Sequence, residues 1–445
     1  MDPSDVHLQK SRGRGPARSG GGSRADRLSV LFGRAKDISR GYAKSDRTMA
    51  GRHFLQIPGP TNVPERILRA MDRAVVDHRG PDLAAVVHEA VAGLKQVFGT
   101  RRGEIVLYPA SGTGAWEASL VNTLSPGDHV LAFVNGHFSH LYAECARRLG
   151  LTVDTVDVPW GDGVPPEQVG EHLVRDAGHR YRAVLVVHNE TSTGVTSDLA
   201  AIRTAIDAAR HPALFMVDVV SALGSIDLRF DDWKIDVALT GTQKGLMLPP
   251  GMAVLCAGPR ALEAAERAAL PRYFFDWRPV IREMQRGYFP YTPATLTLYG
   301  LREAVRMLLE EGLTNVLDRH RRLAEGVRRA VSAWELENLC ARPEWHSNSL
   351  TAVVVPRGAD SDAVVRTAAG RLNLSLGVGL GRVKGKVFRI GHLGALNELE
   401  VLATLAGTEL ACTMAGIHVP LGAGVTACER FFAEQYAAAV PAPSR

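Results

Sequence analysis

The chain has 445 residues, 46% apolar and 22% charged, enough to build the cores of two or three domains. No run of eighteen apolar residues and no sustained heptad pattern occurs, which excludes a membrane-spanning helix and a coiled coil. The net charge of +5 resembles a nucleic-acid signal, but residues 1–48 hold 11 Lys/Arg against 5 Asp/Glu, and the remainder is one charge from neutral.

In chain order, the first segment is a basic tail over residues 1–50, with SRGRGPARSGGGSR at Ser11–Arg24. Its Gly/Arg/Ser composition predicts disorder, and Met49 is an alternative start. Ordered-looking sequence begins at His53–Pro60. Buried strands are predicted at Ile105–Pro109, Val130–Asn135, Val153–Val158, Val184–Asn189, Leu214–Asp218, Val237–Thr240 and Ala253–Ala257. Helical patterns fall between several of them, at Ala115–Leu124, Ser139–Leu149, Pro166–Asp176 and Asp198–Arg210. Strands joined by helical crossovers imply an α/β fold with a mostly parallel sheet, whose ligands sit at the carboxyl ends of the strands.

After Pro293 the texture changes. Long amphipathic helices at Leu298–Glu311 and Leu317–Trp334 precede a strand (Thr351–Val355), a helix (Ser361–Asn373), a strand (Val387–Ile390) and a helix (Asn397–Thr413). The expected division is a large domain over 51–300, a smaller α+β domain over 301–432 and a disordered end over 433–445. Five cysteines (Cys145, Cys256, Cys340, Cys412, Cys428) form no CxxC pair. They read as small buried hydrophobes in a reducing, cytoplasmic protein, and no metal site is expected.

Lysine is scarce: eight in all, only five after residue 48. Lys244 stands in Thr240-Gly241-Thr242-Gln243-Lys244-Gly245, a strand-end loop flanked by glycine. It is either a solvated loop lysine or an amine desolvated so that it can shed its proton. Asp218 ends the run Ala213–Asp218, where a carboxylate needs a partner or caps the next turn. Ser111-Gly112-Thr113-Gly114-Ala115-Trp116 opens a helix and offers N–H groups to a phosphate, or merely caps it. His188–Gly194 ends a further strand with hydroxyls, and Asn135-Gly136-His137-Phe138 brings an aromatic face. A phosphate cradle, an aromatic face, an acid and a lysine together suit one ligand, pyridoxal phosphate.

From about His53 to Phe432 the sequence resembles the class V aminotransferases of fold type I, nearest the serine–glyoxylate and alanine–glyoxylate subgroup. The resemblance rests on IPGPTNVP (Ile57–Pro64), SGTGAWEASLVNTLSPGD (Ser111–Asp128), HNETSTGV (His188–Val195), the Val217-Asp218 strand end, TGTQKGLMLPPG (Thr240–Gly251), YTP (Tyr291–Pro293) and KVFRIGHLG (Lys386–Gly394). It implies that Lys244 bonds the cofactor aldehyde and that Asp218 pairs with its ring nitrogen. It also implies that Thr113, Gly114 and Ala115 meet the phosphate and that Phe138 stacks on the ring. Thr191, Val220 and Gln243 complete the cofactor contacts. Thr292, with Tyr288 or Tyr291, would reach the phosphate of a partner subunit in a homodimer or a dimer of dimers. Arg389 would clamp the substrate carboxylate, with Gly59 lining the donor pocket. Serine is the favoured donor to glyoxylate, with aspartate and alanine as alternatives. A desulfurase, another lyase of the class, or a cofactor-binding protein without turnover are the rivals. Neither a membrane nor a nucleic acid is expected as a partner. Ala115 and Phe138 stand where the mammalian alanine enzyme has histidine and tryptophan.

Overall fold

Runs of β-branched and aliphatic residues with no polar interruption can be buried on both faces only in the middle of a layered sheet, and they build the centre of this protein. The computed structural model describes residues 51–439. The first elements are β1 (Phe54–Gln56), α1 (Glu65–Met71), α2 (Pro81–Phe98), β2 (Glu104–Tyr108), α3 (Gly112–Thr123), β3 (His129–Val134) and α4 (His137–Arg148). Next come β4 (Thr152–Asp157), α5 (Pro166–Arg175), β5 (Tyr181–Val187), the short pair β6 (Asn189–Glu190) and β7 (Val195–Thr196), α6 (Leu199–Ala208), β8 (Leu214–Asp218), β9 (Val237–Gly241) and β10 (Ala253–Ala257). Helices α7 (Pro259–Ala265), α8 (Trp277–Gln285), α9 (Thr295–Glu311) and α10 (Leu313–Ala333) lead into β11 (Glu337–Asn338) and β12 (Leu350–Val354). The chain closes with α11 (Ser361–Leu372), β13 (Leu374–Val378), β14 (Val387–Gly391), α12 (Glu398–Met414) and α13 (Ala423–Ala439).

Seven strands form the large sheet in the order β2-β10-β9-β8-β5-β3-β4. From β9 to β4 every pairing is parallel, and β10 alone runs antiparallel to both neighbours. The expected α/β class and mostly parallel sheet are therefore found. The carboxyl ends of β3, β5, β8 and β9 consequently point the same way, which brings residues 135–138, 188–191, 218–220 and 242–244 to one edge. Strand β4 departs from the expected buried strand. It is the terminal strand, and none of its six residues is buried, because no further strand covers its outer edge.

Five strands form the second sheet in the order β1-β13-β14-β12-β11. Strand β1 joins it in parallel with β13, so the segment before the large sheet belongs structurally to the far end of the chain. A cut at 300/301 would fall inside α9, whose Leu298, Leu301, Val305 and Leu308 lie in the core of the large sheet. The two hydrophobic cores part within α10 instead: Val316 belongs to the first and Leu323 to the second. Of the end expected to be disordered over 433–445, residues 433–439 lie in α13, which is anchored by buried Cys428, Phe431 and Phe432. The basic tail over residues 1–50 and the end beyond Ala439 lie outside the described residues.

Candidate active site

The site lies where the parallel strands end. A cavity of about 160 Å³ is lined by Gly59, Thr113, Trp116, Phe138, Thr191, Asp218, Val220, Gln243 and Lys244, among others. A larger hollow of about 660 Å³ opens by His211, Asp236 and Arg260 at the opposite ends of β8 and β9, but it holds no buried lysine.

Lys244 is 8% exposed. The loop after β9 points its side chain inward, and its Nζ donates to the Pro58 carbonyl. Burial pulls its ammonium down to about 7; the Arg389 charge adds to the fall and Asp218 opposes it. The solvated alternative is thereby rejected. Residues 58–61 are folded over the lysine. Gly59 has φ +94°, and a Cβ there would collide with Lys244 Cδ and stand 2.7 Å from Nζ. Thr61 fastens the same strap, its N–H donating to Gln243 O at 3.1 Å and its hydroxyl to Lys244 O at 3.2 Å.

Asp218 is equally enclosed, and burial pushes it up to about 7 against two hydrogen bonds that favour the ionised form. The Val220 N–H donates to Oδ1 at 2.7 Å, and the Trp116 indole N–H donates to Oδ2 at 2.6 Å. Glu190 raises its proton affinity further and Lys244 lowers it. The acid thus both caps its turn and lines the cavity.

The start of α3 divides its N–H groups. Ser111 caps the helix by accepting from Gly114 N at 3.3 Å. Ala115 departs from expectation. Its N–H makes the first internal bond of the helix, to Ser111 O at 3.0 Å, and its side chain is fully buried. It offers nothing to a phosphate, whereas Gly112 and Thr113 line the cavity as the first two residues of the helix. Gly241 keeps this corner open: a Cβ there would stand 3.2 Å from Gly112 N and 2.6 Å from Gln243 Oε1. Gln243 Oε1 is buried and has no hydrogen-bond partner among the described residues. Phe138 and Val220 both border the cavity.

Arg389 is 7% exposed, so the solvent-facing alternative for this strand position fails. Its Nε donates to Val378 O at 2.9 Å and its Nη1 to Thr191 O at 2.8 Å. Burial lowers it to about 10, with Glu190 opposing, and it stays cationic at neutral pH. Thr191 gives its hydroxyl to Ser221 Oγ at 2.7 Å. Thr292 is the expected site residue that the single chain does not bring in. It is exposed and absent from the cavity lining. Nearby Tyr291 stacks on Phe274 with centroids 4.7 Å apart, and its buried hydroxyl has no partner among the described residues.

Four further side chains meet the expected site residues. Trp116 sits in a quoted motif, yet a tryptophan one turn into a helix signals nothing until its indole N–H needs a partner. Asn189 and Ser221 form a buried hub: Asn189 Nδ2 donates to Ser221 Oγ at 2.8 Å, and Ser221 Oγ donates back to Asn189 O at 2.9 Å. Glu190 is wholly buried and holds the start of α4, accepting from Phe138 N at 3.3 Å and Ser139 N at 2.9 Å. A buried acid just beyond a strand end was the available signal for it. Among the described residues no cluster of three or more His, Cys, Asp or Glu could hold a metal.

These features fit pyridoxal phosphate. The unpartnered Gln243 carbonyl and the space kept by Gly241 lie beside the opening helix turn. The buried amine and carboxylate face one cavity, flanked by Phe138 and Val220. Fold and site together define a pyridoxal-phosphate-dependent enzyme, with that group as its cofactor. A profile described as "Aminotransferase class-V" matches residues 53–379, and the chain belongs to that family. It is 49% identical over 389 residues to the serine–glyoxylate aminotransferase of Methylorubrum extorquens, covering 86% of this chain and 97% of that one. It is 47% identical over 391 residues to the L-aspartate–glyoxylate aminotransferase of Paracoccus denitrificans, covering 88% and 99%. Among solved structures, the ureidoglycine–glyoxylate aminotransferase of Bacillus subtilis superposes with a TM-score of 0.80 at 29% identity, covering 87% of this chain and all of that one.

Proposed function

We propose that the protein moves the amino group of a small L-amino acid, serine first, to glyoxylate, leaving glycine and hydroxypyruvate. The observation that carries the chemistry is one enclosed amine, Lys244, facing a buried carboxylate, Asp218, across a single cavity. Bound pyridoxal phosphate supplies an aldehyde carbon and an electron sink. Lys244 is the residue that would hold that aldehyde. Its amine, neutral in a large fraction of molecules near pH 7, would take the donor's α-proton and return it one bond away. Asp218, ionised, favours the protonated ring nitrogen. Gly112 and Thr113 with Gln243 would hold the phosphate side, Phe138 and Val220 would bracket the ring, and Thr191 would border it. Arg389 grips the substrate carboxylate through N–H groups left over from its two backbone contacts. Gly59 forms the floor of the donor pocket.

Relatives named for serine and for aspartate at nearly equal identity support glyoxylate as acceptor and keep aspartate as a second donor reading. Alanine is the third. A desulfurase reading lacks a nucleophile: Cys340, Cys412 and Cys428 are buried, and burial raises each thiol. We further propose a homodimer, in which exposed Thr292 and one of Tyr288 or Tyr291 reach the partner's phosphate. Free cysteines support a reducing, cytoplasmic setting, and no described helix is long and apolar enough to cross a membrane. The test is glycine formation from glyoxylate with serine, aspartate and alanine in parallel, enzyme saturated with pyridoxal phosphate. Glycine made fastest with serine is expected; glycine from none of the three sinks the reading.

A further inference from the structure

Asp218 has to be ionised to do the work assigned to it, yet its surroundings push the other way. It is 3% exposed, with Glu190 nearby as a like charge and the buried Tyr142 hydroxyl adjacent. Among the described residues Lys244 is the cation that lowers it, and that amine itself spends part of its time neutral. What opposes protonation is a pair of N–H donors. One is the backbone of Val220, which any residue would provide. The other is a side chain, the Trp116 indole, which donates to Oδ2 at 2.6 Å.

The indole is held in that pose from behind. Its ring stacks on Tyr142 with centroids 5.5 Å apart and planes 17° from parallel. The Tyr142 hydroxyl bonds Ser119 Oγ at 3.0 Å, and Ser119 Oγ in turn donates to the Trp116 carbonyl at 2.7 Å. Turning the N–H away would break the stack on Tyr142, whose own position Ser119 fixes. A tryptophan N–H is a donor only, so it can bond the carboxylate but cannot accept a proton from it.

We propose that Trp116 is a positioning residue for Asp218, fixing the plane of its carboxylate and biasing it toward the ionised form that meets the cofactor's ring nitrogen. The role toward the ring rests on the function proposed above; the link between indole and carboxylate does not. A charge-assisted hydrogen bond of this kind shifts an acid by roughly one to two pH units, so its loss should move Asp218 up by that amount.

The experiment uses the full chain with ¹⁵N-labelled tryptophan, freed of pyridoxal phosphate and then reloaded with it. The chain has six tryptophans, so the Trp116 indole signal is the one missing from Trp116→Phe. In the cofactor-free protein that signal should titrate near neutral pH and lose its titration in Asp218→Asn. In the loaded enzyme, Trp116→Phe should lower kcat roughly tenfold at pH 7, with the acid limb of its pH profile moved upward and KM little changed. A Trp116 signal flat from pH 5 to 9 overturns the proposal, as does a Trp116→Phe enzyme with an unmoved pH profile. If Trp116→Phe does not fold, titration of the unsubstituted chain decides alone, each of the six signals being compared with its behaviour in Asp218→Asn. A titrating indole in a protein that makes no glycine would leave this link standing while removing the assigned reaction.

Discussion

Gly59→Ala is the sharpest probe of how the site is assembled. The added Cβ would lie 2.7 Å from Lys244 Nζ, where ordinary contact begins at 3.4 Å. Lys244 Cδ would lie closer still, so the lysine side chain or the strap must shift by more than about 0.7 Å. The strap cannot yield freely, because Thr61 is bonded to both Gln243 O and Lys244 O. The lysine is then the member that moves, and misplacement of a reacting group by about 1 Å costs on the order of a hundredfold in rate. A loss of about ten- to a hundredfold in kcat is expected, with a weakened visible band from the lysine-bound cofactor. Gly59 also sits at φ +94°, so alanine adds backbone strain of about 1–2 kcal/mol wherever such a glycine is replaced. Gly127→Ala separates the two effects: Gly127 has φ +82° and nothing within 4 Å of its added Cβ. It should show the strain in a urea melt and keep its turnover. Gly59→Ala retaining more than half the wild-type kcat, or Gly127→Ala losing as much, would refute the reasoning.

Lys244→Met should abolish turnover and yet stabilise the cofactor-free chain. A lysine lowered from 10.5 to about 7 when folded destabilises fully at pH 7 and below, and this penalty fades between 7 and 10.5. The advantage of methionine in urea unfolding should thus shrink by up to about 1.4 kcal/mol per pH unit above 7; a pH-independent advantage would contradict a buried ammonium. Gly241→Ala should raise the Kd for pyridoxal phosphate tenfold or more, read by fluorescence titration, because its Cβ would crowd Gly112 N and Gln243; unchanged affinity would show the phosphate lies elsewhere. Arg389→Lys keeps the charge but loses the planar fork, so KM for the amino donor should rise about a hundredfold while cofactor binding is retained; an unchanged KM would remove Arg389 from the carboxylate site.

The large sheet was legible because its strands are uninterrupted apolar runs punctuated by turn residues, and Ala253–Ala257 and Leu214–Asp218 have the bounds read from sequence. Lys244 and Asp218 were legible for a related reason: a charged residue at the end of such a run has to be accounted for. Helix α2 is less legible although Pro81 opens it and Gly99 closes it at φ +69°, because it precedes the first long apolar strand and no such strand frames its start. Strand β1 escaped because its partner, β13, lies more than three hundred residues away, and no local pattern reports a pairing of that range. The Ala115 error has a different origin. Motif position suggests a row of equivalent N–H groups, but the third and fourth of a helix are already claimed, by the Ser111 hydroxyl and by the first turn itself.

The site is built across the seam between two cores, and this decides which parts of it can vary together. Arg389 belongs to the second sheet, yet its guanidinium is fixed from both sides, by Val378 O of that sheet and by Thr191 O of the large-sheet region. The strap over Lys244 follows β1, a strand of the second sheet, and ends on the loop that carries the lysine. Gly377 lets these pieces meet, since a Cβ there would stand 2.9 Å from Pro58 Cδ and 3.3 Å from Arg389 Nε. Any shift of the second core against the first would therefore move the carboxylate clamp and the cover of the amine as one unit. Asp218, Trp116 and the opening of α3, all rooted in the first core, would stay behind. Substitutions in the seam should then change donor KM and the reactivity of Lys244 together while leaving affinity for the cofactor's ring and phosphate unaltered. A seam variant such as Gly377→Ala that weakened cofactor binding without touching donor KM would show that the two cores do not divide the work in this way.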